Sequence, residues 1–129
     1  MIIEVAGNPA QKGSFVPIRN RRSTHLQDAD PSLPYWNRIL EFAARKVAPA
    51  TPITNPVEVS IKHFLPRNGS TERYPTLIKD GDIDKQLRAD LDAMTGLVYV
   101  DDSQVVRATI EQCYADSREP GAIIEVNRI

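Results

Sequence analysis

The sequence predicts a single-domain α/β protein, a mixed β-sheet with two helices, and three observations carry that reading. Residues 57–66, VEVSIKHFLP, alternate apolar and polar as a half-buried strand does. Two stretches, 34–48 and 82–94, repeat apolar residues at helical spacing. The segment from 103 to 129 supplies two strand-like runs divided by the turn SREPG. With 129 residues, 41% of them hydrophobic and 26% charged, residues 1–129 have material for one core and too little for a second domain.

Element by element, MIIEVAG reads as a first strand broken by Gly7-Asn8-Pro9. From residue 10 to 33 the chain reads as a basic loop, punctuated by Gly13, Pro17 and Pro31 and carrying Lys12, Arg19, Arg21 and Arg22. PYWNRILEFAARKVA then sets Trp36, Ile39, Leu40, Ala43 and Val47 on one helical stripe, with Ser32 or Asp30 as its cap, and ATPITNP ends it. In the strand that follows, Val57, Val59, Ile61 and His63 share one side. RNGSTER reads as a turn. The second helix runs from Asp82 with Ile83, Leu87, Leu91 and Met94 as its apolar stripe, and Gly96 stops it. LVYV reads as a short strand, SQVVRATIEQCYA as a longer one and AIIEVNRI as the last.

Composition excludes several function classes. A lone cysteine, Cys113, allows neither an internal disulfide nor a cysteine-based zinc site, which suits a reducing cytoplasm. No apolar run has the length of a membrane span, and the N-terminus lacks the apolar block of a signal peptide. His25 and His63 lack ligand spacing, so both read as structural.

The net charge of −1 conceals a division. Residues 1–75 carry ten Lys/Arg against six Asp/Glu, whereas residues 76–129 carry six against eleven. A basic front beside an acidic back is what a cation-dependent enzyme acting on a polyanion needs. The acidity is concentrated between Lys79 and Ser103, where Asp80, Asp82, Asp84, Asp90, Asp92, Asp101 and Asp102 occur with no glutamate. An EF-hand is ruled out, because from Asp80 the sixth position is Lys85 rather than Gly and the twelfth is Leu91 rather than Glu. Plainer accounts exist for each residue: Asp80 or Asp82 as a helix cap, Asp84 paired with Arg88, Asp90 and Asp92 as solvated surface, Asp101-Asp102 as a turn. Taken together, two acidic pairs separated by a helix and a short strand can converge, and grouped carboxylates repel unless a cation neutralises them. Mg²⁺ takes oxygen ligands, and in such a site it polarises a phosphodiester and acidifies a water.

The run Asp82-Ile83-Asp84, a basic residue four further on, Leu91-Asp92-Ala93, Gly96 and Val100-Asp101-Asp102-Ser103-Gln104-Val105 resembles the RusA family of Holliday junction resolvases. The likeness is strongest over residues 60–115. It implies a Mg²⁺-dependent homodimer, with Mn²⁺ as a substitute, that nicks two strands of a four-way DNA junction in recombination and repair. It also implies a phage or prophage gene product acting in the cytoplasm of a bacterial host. By position, Asp82, Asp84 and Asp102 match the family's metal-binding, catalytic aspartates, with Asp101 the weaker of its pair. Arg88 matches a catalytic lysine. Two residues depart: Lys85 stands where the family has Asn, and Arg88 keeps the charge but cannot serve as a deprotonated amine. The alternative they raise is a junction- or DNA-binding protein without nuclease activity. Lys12, Arg19, Arg21, Arg22, Arg67, Arg73 and Lys85 are the candidate DNA contacts, which supply salt-sensitive affinity without reading sequence.

Overall fold

The computed structural model describes residues 1–11, 15–19, 24–28 and 32–129, the two short internal segments by backbone alone. Six strands and two helices follow in order: β1 (Ile2–Ala6), β2 (Phe15–Arg19), β3 (Thr24–Asp28), α1 (Leu33–Arg45), β4 (Val57–Leu65), α2 (Ile83–Met94), β5 (Val105–Tyr114) and β6 (Gly121–Arg128). Four strands make one sheet in the order β1-β6-β4-β5. β1 and β4 lie antiparallel to β6, while β5 lies parallel to β4. The sheet is therefore mixed, and β4-α2-β5 is a crossover unit in which a helix returns the chain to the starting end of a parallel neighbour.

Alternation decides which face of β4 is covered. Val57, Val59, Ile61, His63 and Leu65 are buried, and the residues between them are not. Ile3 and Val5 of β1 and Ala122, Ile124 and Val126 of β6 join them in the core. Trp36, Leu40 and Ala44 of α1 and Ala89, Ala93 and Met94 of α2 cover that layer. Gly121 is required where β6 meets β1, since a Cβ there would stand 2.0 Å from the Val5 carbonyl oxygen. Gly121→Ala should therefore push β1 from the sheet at a cost of about 1–3 kcal/mol. A lowered urea midpoint, with faster exchange of the β1 amides, is the expected reading.

The structure corrects four expectations. The stretch 10–33 is not all loop: β2 and β3 form an antiparallel two-stranded sheet with Phe15 opposite Asp28 and Arg19 opposite Thr24. Pro17 and the neighbouring basic residues hid the short β-compatible runs FVPIR and THLQD. LVYV is not a strand. Tyr99 makes only isolated bridges with Ile53 and Thr95, since Gly96 at φ +80° turns the chain just before it and Asp101 caps a 3-10 turn just after it, leaving too short a run for a ladder. Val47 lies beyond the end of α1 and is exposed. On α2 the face against the core is Gln86, Ala89, Asp90, Ala93 and Met94, with Leu87 and Leu91 at its margin and Ile83 exposed. Ser32 occupies the N-cap position of α1 without a side-chain capping bond, and Pro34 opens the first turn.

Candidate active site

Six of the seven aspartates divide by what the fold does with them, and the seventh, Asp92, is half-buried on α2. Asp80 is committed: its Oδ2 accepts the Leu77 N–H at 3.0 Å and the Tyr114 hydroxyl at 3.0 Å. Asp101 is committed as well. It caps a single 3-10 turn (Asp102–Gln104), accepting the Ser103 N–H at 2.9 Å, and its own N–H donates to Gln104 Oε1. Those bonds from Ser103 hold the Asp101 carboxyl below the usual carboxylate range. Gln104 fixes the turn by donating to the carbonyls of Ile53 and Asn55.

Asp90, read from the sequence as solvated surface, is fully buried. Its Oδ1 accepts the Trp36 indole N–H at 2.8 Å, and its Oδ2 stands 2.5 Å from His63 Nε2. The other imidazole nitrogen, Nδ1, is 2.6 Å from Gln86 Oε1, and Gln86 Nε2 donates to the Asp80 carbonyl at 2.9 Å. Gln86 Oε1 is an acceptor, so Nδ1 carries a proton; an ionised Asp90 asks the same of Nε2. Burial pulls the His63 pKa down, but the Asp90 charge and the bonds to Asp90 and Gln86 outweigh it, and the net shift is upward. This buried chain of Trp36, Asp90, His63 and Gln86 was missed in the sequence. The available signals were His63 on the buried phase of β4 and Gln86 and Asp90 four apart beside Ala89 and Ala93.

Asp82, Asp84 and Asp102 remain at the surface. Asp82 sits at the N-cap of α2, yet its carboxylate makes no capping bond; it pairs with Lys85 at 3.4 Å. Asp84 lies in the first turn, and Arg88 follows one turn later, exposed. Among the described residues Asp84 and Arg88 make no ion pair. Asp102 opens the 3-10 turn that leads into β5.

Within the chain these three carboxylates do not converge, contrary to the sequence expectation. Asp80, two residues before Asp82, bonds to Tyr114 at the finishing end of β5, whereas Asp102 precedes its starting end. The 12 residues of α2 also separate the two motifs, a rise of about 18 Å. Among the described residues no three His, Cys, Asp or Glu side chains are grouped to hold a metal ion.

A protein-family model described as Endodeoxyribonuclease RusA matches residues 9–127. The chain belongs to the RusA family. It is also similar to the Bacillus subtilis (strain 168) protein YqaN, described as uncharacterized, with 28% identity over 97% of this chain and 94% of that one. The RusA match covers both acidic motifs and every element from α1 through β5.

The basic residues of this RusA domain are placed unevenly. Arg67 is an internal clamp: four of its five N–H groups reach Asp116, Ser70 and Glu72, and its guanidinium lies 4.3 Å from the Tyr114 ring centroid. Its hydrogen bonds, with its charge adding to them, hold the Asp116 carboxyl down. Arg73 lies over Tyr74 at 5.3 Å. Arg19 ends β2, with its side chain outside the described residues, as Lys12, Arg21 and Arg22 are altogether. Cys113 is half-buried, and burial raises its thiol pKa, which suits a packing role. Among the described residues no helix is long and apolar enough to cross a membrane.

Proposed function

We propose that this RusA-family protein is a Mg²⁺-dependent endonuclease that resolves four-way DNA junctions as a homodimer, in recombination and repair, within the cytoplasm of a bacterial host from a phage or prophage gene. The observation that carries the reading is the sorting of the aspartates. Asp80, Asp90 and Asp101 are spent on the fold, and the surface carboxylates left at the motif positions are Asp82, Asp84 and Asp102. An all-oxygen set of this kind is what Mg²⁺, or Mn²⁺ in its place, takes from a protein.

The separation of Asp102 from Asp82 and Asp84, at the far end of α2, favours a site shared between two copies. β5 lies at the edge of the sheet, and Val106 on it is 63% exposed. An open edge of this length invites pairing with another strand. Antiparallel pairing of β5 with its own copy about a twofold axis carries each Asp102 toward the start of the other subunit's α2. The two sites of such a dimer match the near-twofold symmetry of a junction.

Asp82, Asp84 and Asp102 would hold the cation, which when bound polarises the scissile phosphodiester and acidifies the attacking water. Arg88, one turn from Asp84, stays protonated and offers a fork of donors to the charge that develops on the phosphate, so its role is electrostatic. Lys12, Arg19, Arg21, Arg22 and Arg73 supply phosphate contacts that place the junction without reading its sequence.

The alternative, a junction-binding protein without nuclease activity, draws support from the Lys85–Asp82 pair. Both side chains are partly exposed, however, and such pairs contribute about 0–1 kcal/mol. A divalent cation displaces a pair that weak, so the nuclease reading is preferred. The test is a synthetic four-way junction beside a linear duplex, with Mg²⁺ and with chelator. Paired symmetric nicks confined to the junction and to the metal are expected; binding without nicks would establish the alternative. Junction affinity should fall about 10²-fold between roughly 50 and 200 mM salt if about four phosphates are neutralised. A flat salt response in a gel-shift titration would rule out the basic residues as the contact surface.

A further inference from the structure

Two glutamines hold the peptide that delivers the α2 carboxylates, one from each side. Gln86 Nε2 donates to the carbonyl of Asp80, and Gln11 Oε1 accepts the N–H of Asp82 at 2.9 Å. Between them lies Gly81 with φ at +88°, a conformation that side chains other than glycine rarely adopt. A Cβ at Gly81 would stand 3.0 Å from Gln11 Oε1 and 3.1 Å from Gln86 Nε2, so both amides pack against this residue. Gln86 cannot turn freely. Its oxygen faces His63 Nδ1, and His63 is fixed in turn by Asp90 and Trp36, all within the core. Reversing the Gln86 amide would set its NH₂ against the protonated Nδ1 and its oxygen against the Asp80 carbonyl, losing both bonds.

Resting on the nuclease reading above, we propose that Gln86 and Gln11 are positioning residues that fix the Asp80-Gly81-Asp82 backbone, and with it the direction in which the Asp82 and Asp84 carboxylates leave α2. Neither touches substrate. The buried Trp36–Asp90–His63 chain serves to hold Gln86 in one orientation. A loose glycine-containing connection would let the two carboxylates sample many directions, whereas a site for a divalent cation requires fixed ones.

The experiment compares wild-type protein with Gln86→Met, which keeps the side-chain volume and removes both hydrogen bonds, and with Gln11→Ala on the more exposed side. Amide hydrogen exchange on the DNA-free protein is the first readout. Exchange at residues 80–85 should quicken at least tenfold in each variant while the β4 amides stay protected. Cleavage is the second: at saturating junction the rate should fall about tenfold or more, with junction affinity unchanged. Exchange at 80–85 left as in wild type would overturn the clamp. Quickened exchange with full cleavage would overturn the positioning role. If wild-type protein nicks no junction, the nuclease reading fails while exchange still judges the clamp. If Gln86→Met does not fold, Gln11→Ala decides from the other side of the same peptide.

Discussion

Asp82→Asn and Asp102→Asn proteins should each leave a four-way junction uncut, and a mixture of the two, allowed to exchange subunits, should regain a single nick per junction. Each substitution removes one negative oxygen ligand, and the loss in rate should be on the order of 10³ or more. Junction affinity should hold or rise, because a carboxylate that repels phosphate has gone. The mixture is decisive because the two motifs stand at opposite ends of α2. If Asp82 of one copy works with Asp102 of the other, a mixed dimer holds one site with both substitutions and one site with neither. If each chain completes its own site, both sites of the mixed dimer are damaged and no activity returns. Asp101→Asn is the control, since asparagine caps a turn as well as aspartate does. It should retain about the wild-type rate, although it alters the very next residue. Loss of cleavage in Asp101→Asn equal to that in Asp102→Asn would contradict the sorting of the aspartates.

The sheet was legible because β4 alternates strictly and burial follows that phase residue by residue. The two acidic motifs were legible by their spacing, but the place of each aspartate was not. Spacing cannot distinguish Asp101, which accepts the Ser103 N–H, from Asp102, which has no such bond among the described residues. Helix α2 shows the same limit. Its hydrophobic residues Ile83, Leu87 and Leu91 suggested the inner face, yet polar Gln86 and Asp90 lie deeper, because His63 and Trp36 provide partners in the core. Periodicity weighs hydrophobicity and is blind to a buried polar group that is satisfied from another element. The convergence expected of Asp82 and Asp102 failed for a topological reason: parallel β4 and β5 oblige α2 to span the sheet between them.

Asp90→Ala should be the most destabilising single substitution of a polar residue in the described structure. It strands the Trp36 N–H and a His63 that is fully buried, and breaking such a pair from one side costs about 3–5 kcal/mol. Domains of this size hold about 5–15 kcal/mol in all, so urea unfolding should begin at much lower denaturant. Replacing His63 with Leu as well should recover part of the loss, since no imidazole then lacks its counter-charge. The pair also sets a pH dependence. The folded-state pKa of His63 is raised, so the folded chain holds this proton more tightly than the unfolded chain. Its contribution is therefore complete below the ordinary histidine value near 6.5 and is lost as pH rises through the folded-state value. Wild-type urea midpoints should decline toward alkaline pH across that window, and the decline should be absent in His63→Leu/Asp90→Ala. A midpoint that rises with pH there would mean that His63 is neutral in the fold and that its proton does not hold the pair together.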